Sequence, residues 1–286
     1  MDDHSAVSIQ HDHGPLMTED RMNLFGQSWY QTQEQKAVVL IIHGIAEHSS
    51  RYADMAQRFV ENGYVVEAFD LRGHGQSDGQ RNYVRRFELY LKDVQAKLNQ
   101  IAERYPDKPV YVFGHSMGGL ITLEYYLKKS PDWAGAILSG PAVKISEDIS
   151  PFLVKISGVI SALFPKLPIV QLDSSAISRD PEVVRDYEND PLVYTGKTLA
   201  RTGAEVLKAT DFVQERLGQI RLPLLIMHGT ADQLTDPEAS RELYTRAESE
   251  DSTLKMYDGF YHEVFNEPEK EQVFADIFDW LDTRVP

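Results

Sequence analysis

A hydroxyl, an imidazole and a carboxylate brought within hydrogen-bonding reach of one another can carry nucleophilic acyl chemistry. The stretch "PVYVFGHSMGGL", residues 109 to 120, places Ser116 among glycines in a G-x-S-x-G pattern. Such a pattern arises by chance in about one chain in fifteen of this length, so its flanks decide what it means. A nucleophile of this kind projects from a sharp strand-to-helix turn, where only small residues let the two backbones approach. "VYVF" ahead of the motif reads as a strand, and "GLITLEYY" behind it as a helix.

A serine hydroxyl needs a base, and the base needs an orienting carboxylate. "LLIMHGTADQL" puts Asp232 in a loop after a buried run, and "KMYDGFYHEVF" puts His262 after the next one. Singly, Asp232 reads equally as a loop cap and His262 as a surface histidine. Behind Ser116 in the order Ser, Asp, His they make a catalytic trio, with Asp236 as the reserve carboxylate. Two backbone N–H groups should then receive the oxyanion. Met117, just after the nucleophile, and Ile45, just after the His43-Gly44 turn, stand at those positions.

The elements that must carry these residues follow from periodicity. "AVVLIIHG" (37 to 44), "YVVEAFD" (64 to 70), "PVYVFG" (109 to 114), "WAGAILSG" (133 to 140), "LPLLIMHG" (222 to 229) and "STLKMYDG" (252 to 259) read as strands. Helical patterns alternate with them: "RYADMAQRFVENG" closed by Gly63, "FELYLKDVQAKLNQIAERY", the helix after Ser116, "DPEASRELYTRAES" and "EQVFADIFDWLDTRV". β-α-β alternation predicts an α/β fold with a mostly parallel sheet flanked by helices. "GPLMTEDRMNLFGQSWY" adds an edge hairpin, and the polar residues 1 to 13, with His4, His11 and His13, read as a flexible tail rather than a metal site. The alternation breaks between residues 141 and 218. The expected organisation is therefore a core of 1–140 and 219–286 with a cap inserted at 141–218.

Composition narrows the function classes. The chain has 286 residues, 29 Lys and Arg against 44 Asp and Glu, and a formal net charge of −15. No basic stripe is present to neutralise phosphates, so nucleic acid is not an expected partner, and docking on anionic membranes by charge alone is disfavoured. There is no cysteine, which excludes disulfides, thiolate metal sites and a thiol nucleophile. Neither a signal peptide nor an apolar run of spanning length is visible, so a soluble cytoplasmic protein without cofactor or metal is expected.

Longer landmarks sharpen this reading. "HGIAEHSSRY", "DLRGHGQSDGQR", "GHSMGG", "ENDPLVY", "HGTADQL" and "YHEVFNE" occur in that order, and together they resemble the monoacylglycerol lipase family of the α/β-hydrolase superfamily. The resemblance spans roughly residues 15 to 283. It implies an α/β-hydrolase fold and hydrolysis of monoacylglycerols to fatty acid and glycerol through an acyl-enzyme. It also implies Ser116, Asp232 and His262 as triad, and Ile45 and Met117 as oxyanion donors. Glu47 and Arg51 resemble residues lining a pocket for the glycerol head group, with Tyr187 or Asn189 nearby; equally, Arg51 could pair with Glu47 or a loop carboxylate. Where mammalian members have a second histidine after the catalytic one, this chain has Phe265, and their pocket cysteines are absent. His74, His115 and Asp70 read as loop and packing residues.

Within the insertion, "ISPFLVKISGVISALFP" (149 to 165) spaces apolar residues as one wide helical stripe, among them Ile149, Leu153, Ile156 and Ile160. One reading is a cap helix packed on the core. The other, which the resemblance suggests, is a lid lining an acyl tunnel and touching lipid surfaces transiently, since it is too short to span a bilayer. A carboxylesterase or lysophospholipase would share the same machinery. A non-catalytic α/β-hydrolase-like binding protein is a third reading, although such proteins usually lack a triad member.

Overall fold

The computed structural model describes residues 8–33, 35–144 and 158–285. Eight strands form one sheet in the order β1-β2-β4-β3-β5-β6-β9-β10. They are β1 (Gln10–Met17), β2 (Asn23–Tyr30), β3 (Val38–Ile42), β4 (Val65–Phe69), β5 (Val110–His115), β6 (Gly135–Ser139), β9 (Leu224–Gly229) and β10 (Ser252–Tyr257). From β4 to β10 every pairing is parallel, while β1 and β2 join antiparallel at one edge. This is the mostly parallel, helix-flanked sheet expected from the alternation, and the α/β-hydrolase fold that the resemblance implies.

The β-branched runs form central strands because their residues are buried on both faces. In β3, Val38, Leu40 and Ile42 enter one hydrophobic core, while Val39 and Ile41 enter the other. The first core is closed by α2 (Glu88–Arg104) and α3 (Met117–Lys129), through Tyr90, Val94, Leu120 and Leu123. The second is closed by α1 (Ala53–Glu61) and α7 (Lys270–Asp282), through Phe59, Phe274, Ile277 and Trp280. Between the strands β6 and β9 lie a two-stranded sheet, β7 (Pro168–Val170) with β8 (Thr198–Leu199), and the helices α4 (Pro181–Asn189) and α5 (Ala200–Gln214). Helix α6 (Pro237–Arg246) follows β9.

Two expectations need correction. Residues 10 to 13 are not a tail: they open β1, paired in register from Gln10 opposite Tyr30 to Met17 opposite Asn23. The His11 ring stacks on Trp29 at 4.5 Å, and its Nε2 lies 3.1 Å from Gln27 Oε1, so neighbouring side chains on β2 hold this polar strand. Second, the fifteen-residue helix α5 was not expected within the insertion. Its buried face is built largely of Ala200, Thr202, Ala204, Ala209 and Thr210, too weakly apolar to stand out as a helical stripe.

An ion pair inside the molecule pins α2 to the sheet. Lys97 Nζ on α2 lies 2.5 Å from Glu67 Oε2 on β4, with Arg104 Nη1 at 3.0 Å from the other oxygen, and both Lys97 and Glu67 are buried. Burial pushes the Lys97 ammonium toward neutrality, and the Glu67 carboxylate opposes that. Glu67→Gln leaves the cation buried without its counter-charge and should cost about 3 to 5 kcal/mol. Urea titration followed by tryptophan fluorescence measures the loss; unchanged stability would contradict the role given to this pair.

Candidate functional site

Ser116 sits on the tight turn that joins β5 to α3, with φ 54° and ψ −118°. A non-glycine residue holds such a backbone only where its surroundings over-determine it. Here the Ser116 N–H donates to Ser139 O at 2.9 Å, and its carbonyl accepts from the Gly119 and Ala142 N–H groups at 3.0 and 3.1 Å. The turn also demands small neighbours. A Cβ on Gly118 would lie 2.0 Å from Ile42 O and 2.7 Å from His43 O. Met117 is the first residue of α3, so by position its N–H has no acceptor within the helix.

Asp232 and His262 stand on the loops after β9 and β10, at the same edge of the sheet as Ser116. His262 Nδ1 lies 2.7 Å from Asp232 Oδ2. Gly140, after β6, has φ 51°, and a Cβ there would meet His262 Nδ1 at 3.0 Å, so the imidazole needs a glycine beneath it. The Asp232 carboxylate also accepts the N–H groups of Leu234 and Thr235 at 2.7 and 3.0 Å, and the Thr235 hydroxyl at 2.8 Å. Burial alone would raise the Asp232 pKa, but the two adjacent imidazoles, His262 and His228, hold it far below the usual carboxylate range. For His262 burial is the largest single influence and pulls the pKa down, but the Asp232 charge and hydrogen bond, together with the nearby Glu263 and Glu47 carboxylates, outweigh it, so the net shift is upward. His115, packed 4.6 Å from His262 between ring centroids, has no such partner, and burial takes it down to about 3. Asp236, the reserve carboxylate, is used elsewhere: it caps α6, accepting the Glu238 N–H, and pairs with Lys144.

Glu47 and Arg51 belong to a charged cluster beside this pair. Arg51 meets Glu263 with two hydrogen bonds of 2.7 and 2.8 Å and Glu47 with one of 2.6 Å. Its guanidinium lies 4.7 Å from the centre of the Tyr187 ring. The alternative noted for Arg51, pairing with Glu47 or a loop carboxylate, describes its contacts. Glu263 is the loop carboxylate: burial favours its neutral form, but Arg51 overrides this and holds the pKa at about 2. Glu47 is left with the weaker share of the arginine, and burial pushes it upward. Its Oε1 accepts the Gly44 N–H at 2.6 Å and the Tyr52 hydroxyl at 2.7 Å, so it also shapes the turn ahead of Ile45.

A cavity of about 140 Å³ brings Ser116, His262, Ile45, Met117, Glu47 and Tyr187 onto one wall system. Leu172, Ile177, Val206 and Leu234 supply much of its apolar surface. Asn189 is not among the lining residues. It is the exposed last residue of α4, with its amide turned back onto Arg185 O at 2.7 Å. Its neighbour Asp190 makes the contact to the core instead, 2.8 Å from His48 Nε2. Ile149, Leu153 and Ile156 fall outside the described residues; Ile160 lies in a helical stretch at 158–163, half-buried and away from the cavity lining. Phe265 packs inward against Tyr52, Phe113 and His115. Sequence reasoning missed Glu263 and His228, although each stood inside a quoted landmark, and it missed Val206 because α5 was missed.

Asp70 accepts the Ser49 N–H at 2.8 Å and the Gln76 N–H at 2.7 Å, and His43 Nε2 accepts the Leu71 N–H at 2.9 Å. These contacts tie the loops after β3 and β4 together beneath Ile45. Among the described residues no cluster of His, Asp or Glu could hold a metal ion.

The family described as serine aminopeptidase, S33, matches residues 33–269. A monoacylglycerol lipase of Mycolicibacterium smegmatis is 40% identical over 88% of this chain and 90% of its own length. The chain belongs to the monoacylglycerol lipase family of α/β-hydrolases. Human monoglyceride lipase is 34% identical over 94% of this chain and 90% of its own. The crystal structure of the Paleococcus ferrophilus monoacylglycerol lipase superposes with a TM-score of 0.82 at 31% identity, covering 91% of this chain and 99% of that one. Membership makes the chain a carboxylic ester hydrolase of the serine type.

The opposed effects of burial and Asp232 on His262 yield a direct prediction. His262 should titrate above its ordinary 6.5 in the native protein and below it in Asp232→Asn, where burial is opposed only by the lesser influence of Glu263 and Glu47. Imidazole NMR across a pH series reads both midpoints; a midpoint unmoved by the substitution would overturn this account.

Proposed function

We propose that the protein hydrolyses monoacylglycerols to fatty acid and glycerol through an acyl-enzyme formed on Ser116. His262, oriented by Asp232, takes the proton of Ser116 as its oxygen attacks the ester carbonyl. The tetrahedral oxyanion is received by the Ile45 and Met117 amides, and His262 returns the proton to the departing glycerol oxygen. Water, deprotonated by His262, then releases the fatty acid. The observation that carries this reading is the shared cavity: a serine on a strained turn and a histidine held 2.7 Å from a buried carboxylate open onto one apolar-walled space. Glu47 and Tyr187 give that space a polar side suited to a glycerol head group, with Arg51 as the cation behind both. The substrate assignment draws on the relatives named monoacylglycerol lipase at 31 to 40% identity.

We assign residues 141–218 as a cap over this cavity, since Leu172, Ile177, Tyr187 and Val206 line it and all four come from that segment. The same segment is proposed to touch lipid surfaces. Val159, Leu163 and Phe164 are 61 to 68% exposed, and Leu167, Ile169 and Val170 continue the patch. Exposed large apolar side chains concentrated in one stretch of chain are what a lipid-facing surface requires. No described helix is long and apolar enough to cross a membrane, so the contact is peripheral.

Ser116→Ala should lower turnover by about five powers of ten while leaving the thermal transition in place. The same variant should fail to react with a fluorophosphonate probe; near-normal turnover would end the proposal. Across esters of graded chain length, monoacylglycerols should be preferred to triacylglycerols and lysophospholipids, and a lysophospholipid preference would replace the substrate named here. For the surface contact, Leu163→Ser with Phe164→Ser should abolish co-flotation with phosphatidylcholine vesicles yet spare hydrolysis of a soluble short-chain ester. Undiminished flotation of that double variant would remove the exposed patch from the account.

A further inference from the structure

The Asp232 carboxylate carries a second imidazole. His228, the penultimate residue of strand β9, places Nε2 at 3.0 Å from Asp232 Oδ2, the oxygen that also faces His262. Its other nitrogen, Nδ1, lies 2.7 Å from the hydroxyl of Ser240 on α6. His228 and Ser240 are wholly buried and away from the cavity lining. An ionised carboxylate only accepts, so Nε2 must carry the proton in that contact. Nδ1 of the neutral ring is then an acceptor for the Ser240 hydroxyl. The row Ser240, His228, Asp232, His262 therefore runs from α6 through β9 to the proposed base, with Ser240 and Asp232 fixing the tautomer of His228 and Asp232 that of His262.

We propose that His228 is a positioning residue for the hydrolytic reaction, donating through Nε2 to Asp232 and thereby setting both the orientation of that carboxylate and how much negative charge it presents to His262. The inference rests on the catalytic reading above, which Ser116→Ala tests separately. A carboxylate that already accepts strong hydrogen bonds is less able to stabilise a neighbouring cation. With the His228 donor removed, Asp232 holds the His262 imidazolium more strongly, and the base stays protonated to higher pH.

Other groups face His262 as well: Glu263 on its own loop, Glu47 on the loop after β3 and His115 on β5, with Arg51 acting on both glutamates. Among the described residues none of these groups is hydrogen-bonded to His228 or Ser240, so variants at those two positions act on His262 through Asp232 and the Thr235 hydroxyl that shares it. Thr235 is the remaining side-chain donor to Oδ2, and its hydroxyl is also 3.3 Å from His228 Nε2. It keeps the carboxylate hydrogen-bonded when His228 is changed.

Two substitutions separate donor loss from general damage. The amide nitrogen of glutamine reaches about where Nε2 of histidine lies, whereas that of asparagine stops near Nδ1. His228→Asn should lower kcat for a soluble ester about tenfold or more, leave KM within about twofold, and move the acid limb of kcat/KM upward by about half a pH unit. His228→Gln should restore kcat to within about threefold of the native value and return the acid limb to its native position. Ser240→Ala, which frees the ring to change tautomer, should shift the limb in the same direction by less. In NMR, the His262 Nδ1 proton should move further downfield in His228→Asn than in His228→Gln. The proposal is overturned if both His228 variants lose activity equally with an unmoved acid limb, or if both leave the limb and the Nδ1 proton at native positions. A Ser116→Ala variant that retains turnover would instead refute the catalytic reading, whatever the His228 variants do.

Discussion

Strand β5 and helix α3 approach so closely at Ser116 that a single methyl group on Gly118 would strike the backbone of β3. Everything at the upper edge of the sheet is arranged around that contact. Close packing brings the first turn of α3 over the carboxyl end of β3, which places the Met117 amide and the Gly44–Ile45 turn around one space. The strained backbone at Ser116 costs about 1 to 3 kcal/mol. Four backbone hydrogen bonds, to Gly119 and Leu120 of α3, to Ser139 of β6 and to Ala142 beyond it, oppose its relaxation. The serine thus stands out from the sheet edge because the chain around it has no room to flatten.

The electrostatics of the site divide into two buried groups that share few atoms. Asp232 gathers His262, His228 and Thr235, while Arg51 gathers Glu47 and Glu263. Glu263 is the residue after His262, so the two groups meet at one peptide unit. Had Glu263 lacked Arg51, a second free carboxylate would face the imidazole and compete with Asp232 for it. Arg51 prevents that by holding Glu263 in two hydrogen bonds, so the charge that decides the state of His262 is the one aligned with Nδ1.

Much of the fold was legible in the sequence because a central parallel strand must be apolar on both faces, and "VVLII", "VYVF" and "LLIM" announce themselves. The trio of Ser116, Asp232 and His262 was legible for a related reason: each follows such a strand, and loops after parallel strands gather at one edge. What escaped notice lacked a local pattern. Helix α5 buries threonines and alanines, so its stripe is faint, and β1 is a polar edge strand that depends on β2 for its partners. Asn189 resembled a pocket residue by its place in "ENDPLVY", yet the chain turn after α4 gives that reach to Asp190. Glu263 and His228 are partners rather than actors, and nothing in the spacing of a sequence distinguishes a histidine that serves a carboxylate from one that ends a strand.

The segment between β6 and β9 is joined to the reacting loops by backbone as well as by packing. The Tyr194 N–H donates to Ala46 O at 2.7 Å, one residue past Ile45, and the Glu263 N–H donates to Ile177 O at 2.8 Å, one residue past His262. Ala46 itself has φ 69°, a left-handed conformation that a flexible loop would not keep. The cavity wall built by this segment and the loops that carry Ile45 and His262 are therefore one hydrogen-bonded unit. A displacement of that wall large enough to break these bonds would release the Ile45 turn and the His262 loop together. The exposed apolar stretch from Val159 to Val170 bears neither of these two bonds and is tied to α5 instead, where the Ala200 N–H donates to Leu167 O at 2.8 Å and the Arg201 N–H to Pro165 O at 3.0 Å.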